Sequence, residues 1–167
     1  NEIGLLWQTE TITPAHEHFI STRIKQKILL NTEKKSDVTP NNCQKTFVFF
    51  LPENEIHDIG LLFINYELVS RGYQTLFLGQ SIPTDSLVDL LKFFDDITFI
   101  SYFTVKPEKD DILNYLEHFQ DKLLTNNSNE LWILGYMLKS LDLNNLSKKI
   151  TPFVSISTLV NILPKKS

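Results

Sequence analysis

Short apolar runs alternate with amphipathic segments from Thr46 onward, and this alternation constrains the fold more than any other feature of the chain. Thr46–Leu51 is a continuous run, which is typical of a strand buried on both faces of a sheet. Four similar runs follow, at Gln74–Leu78, Ile97–Ser101, Leu131–Leu134 and Phe153–Ile156. The pattern predicts a five-stranded parallel α/β sheet of flavodoxin-like (Rossmann-like) order, with a ligand crevice at the carboxyl ends of the first and third strands.

Helical periodicity fills the intervals between these runs. Helices are predicted at His57–Arg71, Asp85–Asp95, Pro107–Leu123, Ser140–Lys149 and Thr158–Leu163. Residues 1–35 are predicted to form a helical cap, a partial bundle whose two helices meet near Thr11–Pro14. Residues 36–45 are polar and rich in helix breakers, so they are predicted to be a linker, with the α/β domain at 46–167.

Composition restricts the function classes. Apolar residues make up 42% of the chain and twelve are Phe, enough for a sizeable core. The net charge is −4 without a basic stripe, so we expect no direct binding to nucleic acid or to an anionic membrane. Cys43 is the single cysteine, which fits a reducing, cytoplasmic location. No initiator Met opens the chain, and we expect it to be part of a longer protein.

The familiar phosphate and catalytic motifs of such folds do not occur. The sequence has neither the G-x-G-x-x-G of dinucleotide-binding folds nor G-x-x-x-x-G-K-[ST], and it has no G-x-S-x-G elbow. The third strand ends in Ser101-Tyr102-Phe103, which provides no carboxylate for phosphoryl transfer. Without a visible acid, base or nucleophile constellation, we expect a domain that is not itself an enzyme.

The loop after the first strand, Glu55-Ile56-His57-Asp58-Ile59-Gly60, carries the candidate site. A neutral imidazole binds a metal through one nitrogen while the other donates to a carboxylate, and both Glu55 and Asp58 are near enough to accept. Gly60 allows a flat ligand to approach the backbone. The alternative is a solvated histidine at a helix N-terminus. One protein ligand does not hold a bare zinc ion, so a metal at His57 needs a cofactor to supply its other ligands.

The E-x-H-x-x-G pattern at Glu55, His57 and Gly60 resembles the D/E-x-H-x-x-G motif of cobalamin-binding domains. Leu78-Gly79-Gln80-Ser81-Ile82-Pro83 is similar to that family's turn after the second strand, and Ser101 and Gly135 fall where it has S-x-L and Gly-Gly. The resemblance implies that His57 is the lower axial cobalt ligand, and Glu55 is expected, ahead of Asp58, as its carboxylate partner.

A second match lies upstream. Trp7, followed after nine residues by Glu17-His18, resembles the W-x9-EH signature of cobalamin-responsive, light-sensing regulators related to MerR. It implies that Trp7, Glu17 and His18 lie over the upper corrin face. It further implies adenosylcobalamin or methylcobalamin as cofactor, a homo-oligomer, and DNA binding through a separate N-terminal domain.

The sequence also departs from this family. Tyr136 replaces the second Gly of the pair, and its ring is expected to narrow the channel of the cofactor's nucleotide tail. Gln8 replaces the histidine that captures cobalt after illumination, so no stable bis-histidine adduct is expected. Two alternatives stay open: a corrinoid carrier of a methyltransferase, and a degenerate interaction module without cofactor. His16 and His118 are expected to be solvated.

Overall fold

A five-stranded parallel sheet forms the centre of the chain in a computed structural model, which describes residues 13–36, 42–126, 128–140 and 146–163. The strands are β1 (Asn42–Pro52), β2 (Tyr73–Ile82), β3 (Ile97–Tyr102), β4 (Glu130–Leu134) and β5 (Ile150–Pro152). Their spatial order is β2-β1-β3-β4-β5, and every neighbouring pair is parallel. The predicted flavodoxin-like sheet is therefore confirmed.

Helices cover both faces of the sheet. The α-helices are α1 (Pro14–Ser36), α2 (Ile59–Ser70), α3 (Ile112–Leu123) and α4 (Ile156–Ile162), and 3-10 helices occupy Thr84–Lys92, Lys109–Asp111 and Tyr136–Ser140. In β1, the continuous apolar run is fully or almost fully buried because it contributes side chains to both layers. Val48 and Phe50 pack toward α3, whereas Phe47, Phe49 and Leu51 pack toward α2 and α4.

The elements after β4 differ from the predictions. The last strand is Ile150–Pro152 and not Phe153–Ile156, because Ile150 and Pro152 pair with Leu131 and Ile133. A proline is tolerated there since β5 is an edge strand. Ser155 then caps α4 by accepting from Thr158 N–H at 3.2 Å, so the helix starts at Ile156, two residues before the predicted start.

The bounds of several helices and of the linker also differ from the predictions. The predicted helix Ser140–Lys149 is wrong for 146–149, which form a turn, and residues 141–145 lie outside the described part. Asp85–Asp95 is replaced by the 3-10 helix Thr84–Lys92, and Pro107–Leu123 begins with a short 3-10 turn before α3. Of the predicted linker 36–45, Ser36 ends α1, Asn42 to Lys45 belong to β1, and 37–41 are not described.

Helix α1 packs against α2 outside the two layers of the sheet. None of its residues is buried, and Phe19, Leu29 and Leu30 are exposed. Its contact face consists of partly buried residues at helical spacing, among them Ile20, Ile24 and Ile28. The predicted junction of two helices near Thr11–Pro14 falls largely on residues outside the described part. Within the described part, no helix is both long enough and apolar enough to cross a membrane.

Candidate functional site

The loop that carries His57 connects the carboxyl end of β1 to the start of α2. It turns back on itself through a hydrogen bond from Glu55 N–H to the Pro52 carbonyl at 3.0 Å. The end of β2 fixes it from the side, because Ser81 N–H donates to the Glu55 carbonyl at 3.1 Å and Ser81 Oγ accepts from Asn54 N–H at 3.0 Å. The loop thus lies at the predicted crevice, between strands β2, β1 and β3.

Glu55 is the central residue of this site. Its side chain is fully buried, and its Oε1 accepts the backbone N–H of Ile56 at 2.9 Å and of His57 at 3.0 Å. Its Oε2 accepts three consecutive backbone N–H groups of the loop after β3, residues 104–106, at 3.1, 2.7 and 2.9 Å. One carboxylate therefore joins the loops that follow β1 and β3.

These hydrogen bonds decide the charge of Glu55. Burial by itself raises the pKa of the carboxyl group. The backbone N–H groups of Val105, Lys106 and His57, together with the His57 ring, outweigh burial and lower that pKa to about 2. Glu55 is thus an ionised, fully hydrogen-bonded carboxylate at neutral pH.

The imidazole of His57 is oriented by this carboxylate. Nδ1 of His57 lies 2.6 Å from Oε1 of Glu55, so the hydrogen bond assigns the ring proton to Nδ1. In the neutral form of this ring the lone pair lies on Nε2, and the side chain is 52% exposed. A neutral imidazole with a fixed tautomer and an accessible lone pair is the form in which histidine binds a metal.

Asp58 does not share this role. Its Oδ2 accepts from Gln80 Nε2 at 2.6 Å, and its Oδ1 lies 2.6 Å from Lys25 Nζ of helix α1. The lysine contact is an ion pair without hydrogen-bond geometry, since Oδ1 accepts no hydrogen bond among the described residues. Of the two carboxylates considered from the sequence, Glu55 holds the imidazole and Asp58 connects the loop to α1 and to β2.

Gly60 and Ser101 both lie near the loop but face opposite sides of the sheet, Gly60 the side of α2 and α4 and Ser101 the side of α3. A Cβ atom at Gly60 would lie 2.9 Å from the ring of Tyr102, so this ring fills the space above the glycine. Tyr102 packs against the layer of α2 and α4. Ser101 faces the opposite layer because side chains alternate along a strand. Its buried Oγ has no hydrogen-bond partner among the described residues.

The local backbone explains why residue 135 is a glycine. It has a φ of +126°, and a Cβ atom there would lie 2.1 Å from the carbonyl oxygen of Phe103. The glycine therefore permits close packing of the chain after β4 against the chain after β3. The neighbouring Tyr136 is 69% exposed, and Lys139 Nζ lies 5.2 Å from the centre of its ring. The expected narrowing of the tail channel by Tyr136 stays a prediction.

The upstream signature is only partly described. Trp7 and Gln8 lie outside the described residues. Glu17 accepts a hydrogen bond from Ser21, and His18 Nδ1 lies 3.6 Å from Glu17 Oε2 on the exposed surface of α1. The described contacts do not bring Glu17 or His18 to His57; α1 reaches the loop through Lys25. His16 is exposed beside Thr13, and His118 is half-exposed beside Asp85.

Sequence reasoning missed two parts of the site. The N–H groups of residues 104–106 have no residue-type signature, because any residue except proline provides them. The second part is apolar: each loop after β1, β3, β4 and β5 carries an exposed large apolar residue, namely Ile56, Val105, Tyr136 and Val154. Because the strands are parallel, these four loops lie at the same edge of the sheet as His57.

The donor set excludes one kind of metal site. Among the described residues, no group of three or more His, Cys, Asp or Glu side chains is arranged to hold a metal ion. His57 alone does not retain a bare ion, which needs three or four ligands. A single fixed imidazole fits a metal whose remaining ligands belong to a cofactor.

Comparison with known proteins identifies the fold. No protein-family model matches the chain, and no curated protein matches it either. Among solved structures, the Methanosarcina barkeri monomethylamine corrinoid protein aligns at 12% identity with a TM-score of 0.74, covering 95% of this chain and 74% of that one. A cobalamin-binding protein from Desulfitobacterium hafniense DCB-2 aligns at 14% identity with a TM-score of 0.57, covering 96% and 74%.

The methanol:cobalamin methyltransferase complex of Methanosarcina barkeri also aligns, at 14% identity with a TM-score of 0.51, covering 98% of this chain and 65% of the matched chain. At such identities the likeness concerns the fold alone.

Proposed function

We propose that this chain binds a cobalamin-type corrinoid, with Nε2 of His57 as the protein ligand to its cobalt. The observation that carries the proposal is the pair formed by His57 and Glu55, in which a buried, ionised carboxylate fixes the tautomer of a half-exposed imidazole at the switch point of the sheet. Such a carboxylate also raises the basicity of the ligating nitrogen.

The rest of the site agrees with this ligand. A corrin supplies four equatorial nitrogens and a redox-active cobalt, so it needs only one axial ligand from the protein. Its wide, flat face requires an apolar surface around that ligand, and exposed Ile56 and Val105 lie in the two loops that Glu55 joins. The similarity in fold to structures named as corrinoid and cobalamin-binding proteins supports the same ligand.

Within this function we propose a sensory role and not an enzymatic one. The support is the W-x9-EH match at Trp7, Glu17 and His18, together with the ion pair that connects α1 to the His57 loop through Lys25 and Asp58. In this proposal, a MerR-type regulator couples corrinoid binding to homo-oligomerisation, and a domain outside this chain binds DNA.

A corrinoid carrier is the second candidate. It is favoured by the alignment with the monomethylamine corrinoid protein and with a methyltransferase complex, which span nearly all of this chain. A carrier uses the same ligating histidine but does not require α1 to respond to the cofactor. Molar mass by light scattering, measured with and without cobalamin, separates the two candidates. A sensor changes its oligomeric state, whereas a carrier keeps it.

The visible spectrum of the chain mixed with corrinoid tests the proposal directly. Wild type is expected to show the spectrum of a cobalt-bound protein imidazole, and His57→Ala is expected to lose it. His118→Ala is the matched control, because His118 is also half-exposed and paired with a carboxylate. If His57→Ala retains the wild-type spectrum, the assignment of His57 is wrong. If wild type binds no corrinoid, a cofactor-free interaction module replaces the proposal.

A further inference from the structure

If the chain binds cobalamin as proposed, the nucleotide tail of the cofactor must find space beside the His57 loop, and the inference below rests on that proposed function. The cofactor carries its own base on a nucleotide tail attached at its lower face. If His57 binds the cobalt at that face, the base is displaced but stays tethered, so it must lie between the corrin and the protein. The chain therefore needs an opening beside the His57 loop, on one side of the sheet or on the other.

On the side of α2 and α4, the ring of Tyr102 fills the space over Gly60. Gly60 lies in the first turn of α2, three residues after His57, and its missing side chain leaves room there. The ring of Tyr102 occupies that room: its Cε2, Cδ2 and Cζ atoms lie 2.9, 3.2 and 3.2 Å from the position of a Cβ atom at residue 60. Tyr102 is the last residue of β3 and packs into the apolar cluster of this layer.

On the opposite side, the local charge is unfavourable. A pocket of about 280 Å³ lies next to the loop there, and its lining includes Glu53 and Asp85. The nucleotide tail carries an anionic phosphodiester. His118 also lines the pocket and pairs with Asp85, so the carboxylate of Glu53 is the charge that repels the tail. Entry of the tail would thus require the ring of Tyr102 to move on one side, or an anion to lie beside the carboxylate of Glu53 on the other.

We infer that Tyr102 is a specificity-determining residue that makes this chain select corrinoids without a nucleotide tail over complete cobalamin. To admit the tail, the ring must leave its position over Gly60, and packed side chains resist such movement. Tyr136 does not have this role, since its ring is exposed. Gly60, which the sequence assigned to the approach of the ligand, also makes room for the ring of Tyr102.

The experiment compares two probes, aquocobalamin and its tailless analogue diaquocobinamide, in titrations followed by visible absorption. Free imidazole is the reference, because a tailless corrinoid binds any imidazole more readily when no base competes. Wild type is expected to prefer the tailless probe by at least about tenfold more than free imidazole does, the scale on which overpacking acts. Tyr102→Ala is expected to lower this preference to that of imidazole, and Tyr102→Phe, which keeps the ring, to retain it.

The outcomes separate this inference from the proposed function. A wild-type preference equal to that of free imidazole, with both probes bound through His57, overturns the inference and leaves the function intact. An equal effect of Tyr102→Ala on both probes also overturns it. If wild type binds neither probe, the proposed function fails and the inference falls with it. The wild-type comparison needs no variant, so a poorly folded Tyr102→Ala does not prevent the test.

Discussion

Among the described residues, two histidines lie within hydrogen-bond distance of a carboxylate, and their surroundings differ. Nδ1 of His57 lies 2.6 Å from Glu55, whose side chain is fully buried. Nε2 of His118 lies 3.0 Å from Asp85, whose side chain is 70% exposed. Glu55 also accepts five backbone N–H groups, whereas Asp85 accepts none within the described part of the chain. Pairing alone does not orient a histidine; a carboxylate fixed by the backbone does, because it has no alternative position.

The largest difference between the two sites is expected in the free energy of unfolding when Glu55 or Asp85 is replaced by Ala. Glu55→Ala leaves five backbone N–H groups of two loops without their acceptor, and each buried orphan costs about 1–3 kcal/mol. We expect the free energy of unfolding to fall by about 4 kcal/mol or more, against less than about 0.5 kcal/mol for Asp85→Ala. Denaturation by urea measures the free energy of unfolding of both variants. Similar losses in the two variants would show that the backbone hydrogen bonds of buried Glu55 do not stabilise the fold.

Acid is expected to weaken the fold through Glu55. Because the pKa of this group is about 2 in the folded chain and 4.5 in its reference state, the folded state favours the ionised form. The resulting stability is complete above pH 4.5 and is lost as the pH falls toward 2, which amounts to about 3 kcal/mol. Urea midpoints between pH 6 and pH 2.5 measure this loss. Glu55→Gln is expected to flatten that part of the profile, and an equally steep decline in the variant would contradict the assignment.

The His57 loop also contacts helix α1, and this contact is a further difference from the His118 site. Asp58 joins the His57 loop to Lys25 in a largely buried ion pair, and we expect this pair to contribute about 1 kcal/mol. Lys25→Met is expected to lower the stability by this amount and to speed amide hydrogen exchange in α1. Lys27→Met, on the exposed face of the same helix, is the control and should change neither. Equal exchange in both variants would show that the ion pair does not hold α1.

Tyr136 is expected to show the smallest effect. Its ring is largely exposed, so Tyr136→Gly should change stability by less than about 0.5 kcal/mol. It should also leave the relative affinities for cobalamin and its tailless analogue unchanged. The same titrations as for Tyr102 measure these affinities. If Tyr136→Gly gains affinity for cobalamin but not for the tailless analogue, Tyr136 and not Tyr102 obstructs the nucleotide tail.

Strand positions followed from the sequence wherever the chain is buried on both sides. The runs at 46–51, 97–101 and 131–134 lie in β1, β3 and β4, because a continuous apolar run has few alternatives to the centre of a parallel sheet. At one edge, the predicted run 74–78 lies within β2, whereas the prediction failed at the other edge. At β5, pairing of Ile150 with Leu131 decides the strand, and the more apolar segment from Phe153 onward forms a turn and the start of α4. β5 has only three residues, of which only Ile150 is buried, so its own sequence contains too short an apolar run to mark it.

In the site, the sequence by itself determined the loop, the histidine and its neighbouring carboxylates, since these are residue types at a recognisable spacing. It favoured Glu55 over Asp58 as the carboxylate that holds the ring, but only through the motif match and not through any contact. Only the tertiary structure decided for Glu55, because its partners are backbone N–H groups of residues 104–106, brought to it from another strand. The same holds for the ring over Gly60, which belongs to Tyr102, 42 residues further along the chain. Contacts between distant segments depend on how parallel strands align, and local sequence does not encode that alignment.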